Sequence, residues 1–133
     1  MCIRDRSNGA GSNNTFLGRN AGYGSAAGDN NTFVGANAGE DNASGAQNTS
    51  IGAGAGRNSS GSSNTFIGYN AAQNMLTGTQ NTYVGWNSGA TSTGSQNTLM
   101  GHNVAAAMSS ASGNTLLGHQ AGWGDVYKRQ PRE

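Results

Sequence analysis

Asn64-Thr65-Phe66-Ile67-Gly68 decides the fold, because the same five-residue phrase returns along the chain at an almost constant interval. Its other copies are Asn14 to Gly18 (NTFLG), Asn31 to Gly35 (NTFVG) and Asn48 to Gly52 (NTSIG). Asn81 to Gly85 (NTYVG), Asn97 to Gly101 (NTLMG) and Asn114 to Gly118 (NTLLG) complete the series. The spacings from one Asn-Thr to the next are 17, 17, 16, 17, 16 and 17 residues. Six positions after each opening Asn stand Asn20, Asn37, Gly54, Asn70, Asn87, Asn103 and Gln120. Then comes a small or aliphatic residue (Ala21, Ala38, Ala55, Ala71, Ser88, Val104, Ala121), followed by Gly or Ala. A glycine precedes each Asn-Thr by three positions, except in the last copy, where Ala111 replaces it.

A period of 16–17 residues is too short for a helix-pair repeat, which needs about 30 or more. It fits one coil of a β-solenoid, with short strands and glycine-rich corners. Thr, Phe, Tyr, Val and Ile crowd the first strand of each copy, where β-branched and aromatic side chains suit a pleated surface. The corner glycines supply backbone angles that other residues avoid. The fold expected is therefore all-β, a β-solenoid or β-roll of about seven coils, spanning roughly 34 Å. The alanine-rich stretch Val104–Ser110 has helical propensity, but its phase with the other copies outweighs that propensity.

Successive side chains on a strand point to opposite faces. Thr15 therefore shares a face with Leu17, and Phe16 points the other way. We expect the repeat core to be Leu17, Val34, Ile51, Ile67, Val84, Met100 and Leu117, with the threonines facing inward beside them. The opposite column, Phe16, Phe33, Phe66, Tyr83, Leu99 and Leu116, is then an exposed apolar ridge, interrupted only by Ser50. Such a ridge exceeds what a soluble monomer usually shows, so it is expected to be an oligomer interface in a homotrimer.

Composition narrows the function. Of 133 residues, 23 are glycine, 10% are charged and one is Cys, with a formal net charge of +1. A single Cys supports neither a disulfide framework nor a Cys-based zinc site. The weak charge argues against nucleic acid as a partner. No apolar run reaches the ~18 residues of a transmembrane helix, so direct membrane insertion by this segment is not expected.

The two ends read differently. Met1-Cys2-Ile3-Arg4-Asp5 and Asp125-Val126-Tyr127-Lys128-Arg129-Gln130 are both encoded, in two frames, by the DNA AGATGTGTATAAGAGACAG. That DNA resembles a transposase mosaic-end adapter. We therefore read 1–6 as adapter-derived, 7–124 as the repeat region and 125–133 as an adapter-derived or chimeric tail, and exclude both ends from fold reasoning. Between them stand two basic residues, Arg19 and Arg57, and three acidic ones, Asp29, Glu40 and Asp41.

The repeat, N-T-x-φ-G followed by N-A-G and a later glycine, resembles repeats of phage tail-fibre-like and bacterial surface proteins. Those proteins often end in an endosialidase-type intramolecular chaperone domain. It is similar, more distantly, to the head repeats of trimeric autotransporter adhesins, whose period is shorter. The resemblance covers Gly11 to about Gly122. It implies a structural or adhesive fibre segment, a fragment of a longer protein, on a virion tail or an extracellular surface, with a homotrimer as its assembly.

No constellation for catalysis stands out, so an enzyme is not expected, nor a cofactor. His102 and His119 occupy equivalent positions in adjacent coils, but no carboxylate recurs beside them, and no metal site is expected. Asn13-Asn14-Thr15 and Asn30-Asn31-Thr32 match the glycosylation sequon only because the repeat generates it. The Asn-Thr columns are expected to form stacked amide ladders that bond to corner backbone. The alternative to a fibre segment is a ligand-reading solenoid that binds glycan or ice. Ice binding by a flat threonine array normally uses Thr-x-Thr pairs, whereas each coil here has a single regular Thr whose strand-mate is apolar, so Thr15 and its successors are expected to face inward. For a host-surface glycan or receptor, the candidate ligand-binding residues are Tyr69, Trp86, His102 and His119, a run of rings beside one corner that could stack on sugar faces; packing at a subunit interface is the competing reading of the same column.

Overall fold

A computed structural model describes residues 11–25, 28–106 and 110–122. The two adapter-like ends and Ala107–Ser109 of the alanine-rich stretch lie outside those residues. The described chain is all-β. Seven three-residue strands, β1 (Thr15–Leu17), β2 (Thr32–Val34), β3 (Thr49–Ile51), β4 (Thr65–Ile67), β5 (Thr82–Val84), β6 (Thr98–Met100) and β7 (Thr115–Leu117), form one sheet in sequence order. Every neighbour is parallel and in register: Thr pairs with Thr, the central residue with the central residue, the aliphatic with the aliphatic. The result is a β-solenoid of about six turns from β1 to β7. Val104, Ala105 and Ala106 form a turn like their counterparts in other coils, not a helix.

Three-residue strands are short, but the ladder continues past them. The Gly35 amide donates to the Leu17 carbonyl at 2.8 Å, Asn37 to Arg19 at 2.8 Å and Gly39 to Ala55 at 2.9 Å. Backbone pairing thus runs round the first corner, which meets the demand that buried amides be bonded. The corners require left-handed backbone, and this explains the column six positions after each opening Asn. Asn20, Asn37, Asn70, Asn87 and Asn103 all have φ between 53° and 57°, a region that Asn tolerates better than other side-chain-bearing residues.

The Asn column that opens each coil is a second ladder, now inside. Asn31, Asn64, Asn81 and Asn97 are at most 1% exposed. The Asn64 Oδ1 accepts from the Asn81 amide at 2.9 Å, and its Nδ2 donates to the Gly78 carbonyl at 2.9 Å. Asn31 and Asn48 repeat the pattern, the first accepting from the second at 2.9 Å and donating to Gly45 at 2.9 Å. Each amide therefore ties its own coil shut and binds the next one. A buried polar group without such partners would cost about 1–3 kcal/mol.

Burial reverses the two apolar columns assigned from sequence. Phe33 and Phe66 are 1% exposed, and Tyr83 and Leu99 are 0% exposed. With Phe16 and Leu116, half-buried on the end rungs, they fill the interior of the single chain and are not an exposed oligomer interface. Conversely, Leu17, Ile51, Ile67, Met100 and Leu117 are among the exposed large hydrophobics, and Val34 and Val84 are half-buried. The residues expected as the repeat core therefore line the outside, and the threonines share that outward face.

The reason is space. The interior is floored by small residues, and the rings lie directly on them: a Cβ at Gly39 would meet the Phe33 ring at 2.5 Å, and one at Gly89 the Tyr83 ring at 2.5 Å. The column that lies over this floor is the one the coil encloses, and Leu99 is buried there as fully as the rings. Phe16 and Phe33 stack at 5.1 Å and 4°, and Phe66 and Tyr83 meet at 5.6 Å. Ser50 divides this column into two clusters, Phe33 with Ala21 and Ala38, and Phe66 with Tyr83, Leu99, Met75 and Val104. Its hydroxyl is buried without a hydrogen-bond partner.

Candidate interaction surface

Two outward features recur on successive rungs. The first is the strand face itself. Thr15, Thr82, Thr98 and Thr115 are exposed and Thr32, Thr49 and Thr65 half-buried, each followed two residues later by an outward aliphatic side chain. Because the strands pair in register, both columns run straight along the solenoid. Neighbouring rungs are about 4.8 Å apart, and the two columns about 6.6 Å apart, from standard strand dimensions. No charged residue stands in either column.

The second is the ring column beyond the strand. Tyr69, Trp86, His102 and His119 are all exposed, as expected for the run of rings beside one corner. They form one continuous stack, with centroids 6.3, 4.6 and 5.0 Å apart and interplanar angles of 12°, 12° and 7°. Residue type and register suffice to build it, since the same position on adjacent rungs must be about one strand spacing away. The orientation alters its chemistry. Each ring lies flat on the next, so the inner faces are occupied by neighbouring rings and mainly edges remain for solvent. The stacking on sugar faces expected of these four residues thus lacks most of the ring faces it needs.

Charge is sparse and locally paired. Arg57 Nε lies 2.7 Å from Glu40 Oε2, linking adjacent coils, with the arginine side chain 40% exposed and the glutamate 13%. Asn20 Nδ2 also donates to Glu40 Oε1 at 3.4 Å. Among the described residues no group of three or more His, Cys, Asp or Glu could hold a metal ion. His102 and His119 have each other and Trp86 as ring neighbours. No helix among these residues is long and apolar enough to cross a membrane.

Among the described residues, burial displaces one titratable group. Burial raises the Tyr83 hydroxyl above its usual range, opposed in part by its hydrogen bonds to Ser92 and Asn97. The hydroxyl lies 3.2 Å from Ser92 Oγ, inside the coil. Tyr83 is thus a packed neutral phenol and a structural member of the core.

The outward threonine column is the surface feature that alternation alone did not reveal. A signal was present in the sequence: Gly22, Gly39 and Gly89 each follow an aromatic residue by six positions, leaving room for a ring on the inside. No protein-family model, curated protein or solved structure matches this chain.

Proposed function

We propose that the chain is a rod-like structural segment of a longer fibre, of the phage tail-fibre or bacterial surface-adhesin kind, displayed on a virion tail or outside a cell. The observation that carries this reading is the in-register stacking of near-identical coils, closed and joined by the internal Asn ladder. Each coil contacts its neighbours along one axis, so rod length is set by repeat number and stability by coil-to-coil terms. Such a body holds its ends apart and shows the same surface at regular intervals. The resemblance of the N-T-x-φ-G repeat to fibre and adhesin repeats points the same way.

The reading is tested by immunoelectron microscopy of the source particles or cells with antibodies raised against the repeat region. Label along filaments projecting from the surface is the expected result. Label confined to the cell interior, with filaments bare, would overturn it.

A further inference from the structure

The strand face offers a chemistry that the fibre reading does not use. Its threonine column runs from Thr15 to Thr115 and its aliphatic column from Leu17 to Leu117, in unbroken parallel register. Hydroxyls therefore recur along straight lines about 4.8 Å apart, with methyl and methylene groups beside them. Water next to apolar groups is restricted in orientation, while each hydroxyl can both donate to and accept from a fixed water. A grid that combines the two holds first-layer water in repeating positions. Charged side chains would break that order, and these columns contain none.

We propose that this face is an ice-binding surface, which adsorbs to an ice crystal through a layer of water ordered on the Thr-x-aliphatic grid. Three observations favour ice over other occupants. From strand dimensions the face measures roughly 29 by 10 Å, or about 300 Å², well under the ~800 Å² that each partner buries in a standard interface. It carries no Trp, Tyr or Arg, the residues that anchor protein interfaces. A sugar would seek ring faces, and the rings stand in a separate column with those faces stacked together. The proposal is independent of the fibre reading, since a rod can carry this face or lack it.

The test is ice recrystallisation inhibition and thermal hysteresis with the full chain, beside sedimentation velocity and thermal melts. Three variants accompany it: Thr65→Lys with Thr82→Lys on the face, Thr65→Val with Thr82→Val as a shape-preserving pair, and Gln80→Lys with Gln96→Lys on another exposed column. The wild-type chain is expected to stop ice-grain coarsening and to shape single crystals. The face lysines should abolish that effect, the valine pair should retain part of it, and the control lysines should leave it unchanged, with similar melting throughout. Grain growth as fast as in buffer with the folded wild-type chain would overturn the proposal. So would equal loss from control and face lysines. A stable oligomer that the face lysines dissociate would assign the face to a second copy of this chain and also overturn it. None of these results bears on the microscopy of filaments.

Discussion

Phe66 and Ile67 are neighbours on β4, yet Phe66 is 1% exposed and Ile67 38%. The contrast repeats on β6, where Leu99 is 0% exposed and Met100 46%. Both columns are largely apolar, the inner one broken only at Ser50, and only one is core. Hydrophobicity therefore does not distinguish the inside of this solenoid from its outside; which face of the strand lies over the small-residue floor does. The inner column secures the fold, and the outer column is left for whatever the protein meets.

The largest predicted effect breaks the inner column. Phe66→Ala should lower unfolding free energy by about 3–5 kcal/mol, the usual range for an emptied aromatic site. Ile67→Ala, one residue away, should cost far less, which chemical denaturation of the two variants will compare. Next comes the Asn ladder. Asn64→Ala leaves the Asn81 amide and the Gly78 carbonyl without their partner, so a loss of about 2–3 kcal/mol is expected in the same measurement. A loss comparable to an exposed substitution would mean that the ladder is dispensable.

The Tyr83 phenol sharpens the comparison through pH. Its folded pKa is raised by burial, so its proton is held more tightly in the folded chain than in the unfolded one. The stability this contributes is fully present below the unfolded tyrosine pKa of about 10 and is lost as pH rises through the folded value. Urea midpoints should thus fall on the alkaline side, and Tyr83→Phe should flatten that fall, because Tyr23 and Tyr69 are exposed.

Ser50 tests the same column in the opposite direction. Its buried hydroxyl has no partner, so Ser50→Ala should raise stability by about 1 kcal/mol. The smallest effect belongs to Trp86→Ala. The indole is 46% exposed and meets its neighbours only in the outer ring stack, so the change should stay near the ±0.5 kcal/mol of surface substitutions. A larger loss of melting temperature would make the ring stack part of the fold.

Much of this architecture is legible in the sequence. The seven Asn-Thr copies specify the number of rungs, the 16–17 residue period specifies a coil, and the recurring Gly and Asn mark corners that need left-handed backbone. The ring column is legible for the same reason, since equal positions in a stacked repeat become neighbours. What alternation could not supply was the sign of the faces. A period of two divides Thr15 and Leu17 from Phe16, but with aliphatics on one side and aromatics and leucines on the other, both look like core. The deciding contacts join Phe33 to Gly39 and Tyr83 to Gly89, across the coil. Ring orientation was equally hidden, because it follows from how side chains leave the corner and not from which residues occupy it.

Which side of the strand faces water decides both the core and the outer surface, and thiol labelling reads this on β6. In a Cys2→Ser background, Leu99→Cys and Met100→Cys place one thiol on each face of the same strand at adjacent positions. The Met100→Cys thiol is predicted to react with a disulfide reagent nearly as fast as in the unfolded chain. The Leu99→Cys thiol should react only through opening of the coil, and its rate should rise with denaturant. Fast labelling at position 99 with protection at position 100 would contradict the assignment of inside and outside, and with it the outward threonine face.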